Sequence, residues 1–142
     1  MSGVDLRVRF EWSPAGPVTL DGAGHLVLPD LPTAPGIYRW TLTGPDGVQQ
    51  YIGEGGSLRG RLRDYRRPSS LRTANRLHGV IAAHLAAGGR AHLDVATTGE
   101  VERPGISAPL DLARRTARHL AEHAAIAEAY LDGTPVLNRD TA

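Results

Sequence analysis

The sequence predicts a mixed α/β (α+β) domain, with a small mixed or antiparallel central sheet flanked by helices. Two adjacent apolar runs, IYRWTLT at 37–43 and VQQYIG at 48–53, surround a GPDG turn and read as a β-hairpin. Stretches at 58–66, 73–87 and 110–131 have helical length and patterning. From the hairpin onward the order is β-β-α-α-β-α, which lacks the alternation of a doubly wound fold.

Taken in order, VDLRVRFEW at 4–12 alternates as a strand, and HLVLP at 25–29 reads as a second short strand. The stretch between them is rich in Pro and Gly, and DLPTAPG at 30–36 is a breaker. Residues 1–34 therefore read as a short N-terminal β extension and 35–142 as the main domain. After the hairpin, Ser57 is placed to cap a helix ending before Pro68, with Leu58, Leu62 and Tyr65 as its buried stripe. The helix from Thr73 ends at Gly88-Gly89, and AHLDVATT at 91–98 is a strand. The long helix from Leu110 to Leu131 is read with a core stripe of Leu112, Leu120, Ala124 and Leu131. TPVLNRD closes the chain as an extended segment.

The 142 residues match one domain. No apolar run approaches the roughly 20 residues that span a bilayer, and the first residues lack a secretory apolar region. No membrane partner and a cytoplasmic location are expected. There is no cysteine, which excludes disulfides, thiolate zinc sites and cysteine nucleophiles. There is no lysine either, so all 16 basic side chains are arginine. Arginine suits bidentate phosphate recognition, and codon bias accounts for the skew equally well. The net charge of +1 is unevenly spread. Residues 57–78 hold Arg59, Arg61, Arg63, Arg66, Arg67, Arg72 and Arg76 against Asp64 alone, a local charge of +6. Such a patch is the footprint of a phosphate-facing surface or of a solvated helix face.

If Thr43 pairs with Val48, then Trp40 faces Tyr51 and Tyr38 faces Gly53. Tyr38 and Tyr51 are then diagonal neighbours on one sheet face, beside the gap left by Gly53. Two phenols beside a gap and a basic helix suit a phosphate pocket. Paired tyrosines in a hairpin also serve as plain packing.

Gly36-Ile37-Tyr38 and Tyr51-Ile52-Gly53, the following loop and helix with Arg61 and Tyr65, Glu122 four residues before Ile126, and Pro135 with Asn138 stand in one order. On these residues the chain closely resembles the GIY-YIG nuclease family over 35–138. It departs in the slightly long spacer between the two name motifs, and in Glu54, where excision-repair members carry lysine.

The resemblance implies a metal-dependent endonuclease acting on DNA phosphodiesters. Glu122 would hold one Mg²⁺ (or Mn²⁺), Arg61 would clamp the phosphate and Tyr38 would be the general base. Tyr51 and Tyr65 would orient water or phosphate, and Asn138 would fix the Glu122 region. Gly53 and the seven arginines would face nucleic acid. Further partners left open are a second copy of the chain or a separate specificity partner. By helical geometry Glu122 lies roughly 200° from Leu120, hence away from the expected core stripe.

Two other readings compete. The same fold without catalysis would be a nucleic-acid-binding module. His119, Glu122 and His123 also spell H-x-x-E-H, the inverted zinc-peptidase motif, for which a third ligand would have to come from Glu128, Asp132 or Asp140. GEGGSLRG lacks the third glycine of a dinucleotide loop and the lysine of a P-loop.

Overall fold

In the computed structural model, residues 2–138 are described. The elements run β1 (Arg7–Arg9), β2 (Ser13–Leu20), β3 (Leu26–Val27), β4 (Gly36–Gly44), β5 (Gly47–Gly55), α1 (Leu58–Arg63), α2 (Arg72–Ala86), β6 (Arg90–Ala96), β7 (Glu100–Arg103), β8 (Ile106–Pro109) and α3 (Arg115–Leu131). Five strands form an antiparallel sheet in the order β3-β2-β6-β4-β5, and β1-β7-β8 form a second, three-stranded one. The α+β class expected from the patterning is the one observed. No helix among the described residues is long and apolar enough to cross a membrane.

The β4–β5 register is the expected one: Thr43 pairs with Val48, Trp40 with Tyr51 and Tyr38 with Gly53. Strand alternation then sorts the side chains. Tyr38, Trp40, Leu42 and Tyr51 join Leu58, Leu62, Tyr65, Leu77 and Ile81 of the helical layer in one core. Ile37 faces the other way, into a smaller core with Ala96, Leu110, Leu112 and Ala121. Each buried aromatic ring contributes roughly 4 to 6 kcal/mol of transfer free energy, taking 150–250 Å² at about 25 cal/mol/Å².

Four details differ from the sequence expectation. Residues 13–20, expected as a Pro/Gly-rich break, form β2, which pairs with β6 inside the main sheet. The ladder absorbs its prolines through a register shift between Pro14 and Gly16, the kind of irregularity in which proline is tolerated. The strand expected over 4–12 shortens to β1, which pairs with β7 of the second sheet. The β7–β8 hairpin itself was absent from the expectation, because 99–109 lacks a run of alternating apolar residues.

The fourth difference concerns α3, which starts at Arg115, not Leu110. Its buried positions are Ala121 and Ala129, whereas Leu120 is 37% and Leu131 88% exposed. The expected stripe is thus rotated. Small side chains let this helix lie against the sheet, and leucine size was a poor guide to the inward face. Glu122 is consequently next to the buried face, with its side chain 19% exposed.

Candidate functional site

The sheet ends at β5, so the site forms around an edge strand. The closing segment covers part of that edge. Gln50 N–H donates to the Pro135 carbonyl (3.0 Å) and Leu137 N–H to the Gln50 carbonyl (2.7 Å). The Asn138 side chain then continues the ladder. Its Oδ1 accepts from Ile52 N–H (3.0 Å) and its Nδ2 donates to the Ile52 carbonyl (2.7 Å). A side-chain amide here replaces the next peptide of a strand. Asn138 fixes β5 directly, between Tyr51 and Gly53, in place of the expected contact with the Glu122 region.

Beyond Asn138 the strand reads Gly53-Glu54-Gly55. A Cβ on Gly53 would overlap the Tyr38 ring and hydroxyl, and one on Gly55 would press on the Arg61 side chain at 2.8 Å. The two glycines therefore let Tyr38 and Arg61 approach the strand closely.

Helix α1 presents Arg61. Ser57 Oγ accepts from Gly60 N–H (3.3 Å), and the Leu58 and Arg59 amides donate to the carbonyls of Ala34 and Pro32 (3.1 and 3.0 Å). These bonds satisfy the first-turn donors and tie the helix to the start of β4. Arg61 lies with its guanidinium carbon 5.2 Å from the centre of the Tyr65 ring and its Nη1 3.5 Å from Asp64 Oδ2. Burial alone would lower the Arg61 pKa, but the three neighbouring phenols and Asp64 outweigh it and raise it.

Those phenols form one cluster. The hydroxyls of Tyr38 and Tyr65 are 2.6 Å apart, and the Tyr38 and Tyr51 ring centres 6.5 Å apart. Desolvation pushes the Tyr38 phenol well above its usual value, and Tyr65 reinforces the shift. Tyr65 and Tyr51 are raised for the same first reason, with Arg61 pulling each of them partly back. Tyr38 and Tyr65 are fully buried, and Tyr51 keeps 9% of its surface. The expected direct meeting of Tyr38 with water is therefore not what the fold presents. Its hydroxyl is inside the core, bonded to Tyr65, and Tyr51 is the one of the three phenols that keeps some exposed surface.

Glu122 approaches from α3. Burial raises its pKa first and the charge of Glu54 next, while His123, His119 and Arg61 act in the opposite sense. Its charge also raises the Tyr51 pKa. Glu122, Tyr51 and Arg61 thus lie within reach of one another's charge, although they come from three elements. The structure also brings in a pair that the sequence did not signal. Arg118 Nε donates to Glu54 Oε2 at 2.6 Å, and its Nη1 donates to the carbonyls of Leu112 and Ala113, both at 3.1 Å. Helical spacing alone would set Arg118 beside Glu122, four residues away. Its actual partner lies 64 residues upstream, a separation at which sequence spacing is silent.

His119 Nε2 is 3.4 Å from Glu54 and His123 Nε2 3.5 Å from Glu122. The two imidazoles stack with centres 6.2 Å apart. They pair with different carboxylates, and no three His, Cys, Asp or Glu side chains among the described residues converge on one point. Glu128 and Asp132 line a different cleft, with Trp12 and Arg39. Asp140 lies outside the described residues.

The arginines of 57–78 divide. Arg59 Nε is held by the Leu31 carbonyl (2.9 Å) and Arg76 by that of Leu137 (3.3 Å). Arg63, Arg66 and Arg67 are exposed and line a cleft with His25, and Arg72 is exposed at the start of α2. A second open cleft is lined by Glu54 to Ser57, Gly60, Arg61, Asp64, Arg115 and Arg118.

No protein-family model and no curated protein matches the chain. Among solved structures it is similar to a mutant of bacteriophage T4 EndoII, with a TM-score of 0.57 and 16% sequence identity. The likeness covers 90% of this chain and 92% of that one. At such identity it is a likeness of fold.

Proposed function

We propose that the chain is a metal-dependent nuclease of GIY-YIG type, acting on DNA. The observation that carries this reading is convergence. Arg61, three phenols and a half-buried carboxylate meet around an edge strand that two glycines keep clear. The shared fold with EndoII, by its name an endonuclease, supports the same reading.

Glu122 is the candidate metal ligand. Burial and the charge of Glu54 both disfavour its ionised form, and a cation would offset them. One carboxylate plus solvent oxygens is a usual Mg²⁺ set. The donors do not fit a structural zinc site, which takes four nitrogen or sulfur ligands. A bound divalent ion supplies Lewis-acid stabilisation of the phosphate and its leaving oxygen.

Arg61 holds the phosphate and offsets charge that builds in the transition state. Tyr51, the least buried of the three clustered phenols, orients the attacking water and is the candidate base, with Arg61 lowering the cost of its ionisation. Tyr38 acts from inside the core by holding the Tyr65 hydroxyl. Asn138 keeps Tyr51 in register through Ile52. Arg118 and Glu54 hold α3, and with it Glu122, against β5.

Single-turnover cleavage of duplex DNA in Mg²⁺ tests these roles. Tyr51→Phe should slow cleavage by roughly 10² or more, the usual span for a general base. Tyr38→Phe should cost less, on the order of tenfold, as a lost positioning hydrogen bond. A Tyr38→Phe defect much larger than that of Tyr51→Phe would return the base to Tyr38. Wild-type protein that binds duplex but never cuts it, with or without Mg²⁺, would instead identify a non-catalytic binding module.

A further inference from the structure

We propose a second phosphate pocket, distinct from the Arg61 cleft, built jointly by the α1–α2 link and the β2–β3 hairpin. It rests on the nuclease reading and names where a neighbouring backbone phosphate of the same nucleic acid is held. The pocket is lined by His25, Arg63, Asp64, Arg66, Arg67, Pro68 and Ser69.

The three arginines form no ion pair among the described residues, and Asp64, the acid in the lining, is 3.5 Å from Arg61. Asp21, the other acid near the pocket, accepts the Ala23 and His25 amides on its Oδ1, both at 2.9 Å, and acts on Arg66 only through its charge, without an ion pair. Three planar forks with no committed carboxylate are suited to an anion with several oxygens.

The walls are held in place from both sides. Leu26 N–H donates to the Arg66 carbonyl at 2.7 Å, which docks the hairpin on the link. Ser69 N–H donates to Asn75 Oδ1 at 3.1 Å, and Ser69 Oγ accepts from Leu71 N–H at 3.0 Å. The loop bearing the arginines is thus braced before any ligand arrives. That bracing reduces the ordering cost of binding.

Asp64 lines both this pocket and the Arg61 cleft. The two are therefore neighbours around α1, and one strand crossing the helix can set one phosphate at Arg61 and another at Arg66 and Arg67. This continuity favours a backbone phosphodiester over a free phosphate ion. It also gives the N-terminal segment a part in substrate binding, through His25.

The test titrates a labelled DNA duplex in chelator from low to high salt with wild-type protein and the Arg66→Ala, Arg67→Ala double variant, and parallel samples in Mg²⁺ read cutting. Losing two phosphate contacts should reduce the slope of log K against log salt by roughly 1.8. Both side chains are exposed, so the fold should persist, and a melting curve checks this. Duplexes with single neutral methylphosphonate linkages locate the contact. One linkage beside the cut should weaken wild-type binding by about tenfold, the value of a charge-assisted bond, and leave the variant unaffected. Equal slopes and equal responses to every neutral linkage, from a wild-type protein that binds and cuts, would remove the pocket alone. Wild-type protein that neither binds nor cuts would remove the nuclease reading, and the pocket with it.

Discussion

Gly53 and Tyr38 depend on one another, since any Cβ at 53 would overlap the Tyr38 ring and hydroxyl. Gly53→Ala should cost about 1 to 3 kcal/mol by overpacking and slow cleavage by displacing the Tyr38–Tyr65 hydroxyl pair. Chemical denaturation and a cleavage assay would show both, and an unchanged protein would mean that the core yields there. This pairing was legible in the sequence, because the GPDG turn set the register that places Tyr38 opposite Gly53. The depth of Tyr38 was not, because alternation assigns a face and says nothing of what packs over it. That depth has its own consequence. Burial raises the phenol pKa of Tyr38, Tyr51 and Tyr65. Above about pH 10 the unfolded chain loses phenolic protons that the folded chain keeps, so stability must fall as pH rises. Up to about 4 kcal/mol per pH unit is at stake for three suppressed phenols, at about 1.4 each. The chain has no lysine to obscure this range. Melting curves should be steady from about pH 8 to about pH 9 and drop steeply above about pH 10. A flat profile would show that the phenols ionise freely in the folded protein.

The hairpin and the three helices were legible because each carries a local signal: a turn, a cap or a period. Strand β2 was not, because its pairing with β6 depends on a partner some 75 residues away, and its own prolines and glycine argue for a break. Helix α3 was found but turned, since alanines make its inner face and Leu120 and Leu131 lie outward. Glu122 was thus singled out by its place in the motif, while its surroundings were misread. The edge of β5 offers the sharpest test at this scale. Asn138 both donates to and accepts from Ile52. Asn138→Asp keeps the acceptor but sets a carboxylate against the Ile52 carbonyl. The loss of the bond and the new repulsion should together cost about 1 to 3 kcal/mol. Hydrogen exchange should show it first at the Ile52 amide. Protection there equal to wild type would mean that the closing segment is held to β5 by Pro135 to Leu137 alone.

Across the whole molecule, elements remote in sequence meet at one end of the sheet: α1 with Arg61, the end of β5 with Glu54, and α3 with Arg118 and Glu122. The motif order was visible in the sequence, but the Glu54–Arg118 pair that joins two of these elements appears only once the chain is folded. The proposed chemistry depends on Glu122, whose carboxylate is half-buried, feels the charge of Glu54 and in turn acts on Tyr51. Glu122→Gln removes the charge and keeps the shape, so the fold should persist. Removing a carboxylate that burial and Glu54 both disfavour should leave the melting temperature equal or higher. The most direct measurement is therefore product sizing on a denaturing gel, with labelled duplex, Mg²⁺ or chelator, and wild-type or Glu122→Gln protein side by side. Wild-type protein should yield shortened strands in Mg²⁺ and none in chelator, and folded Glu122→Gln protein none in either. Cleavage by folded Glu122→Gln protein at the wild-type rate, or wild-type cleavage that persists in chelator, would contradict a metal-dependent reaction centred on this glutamate.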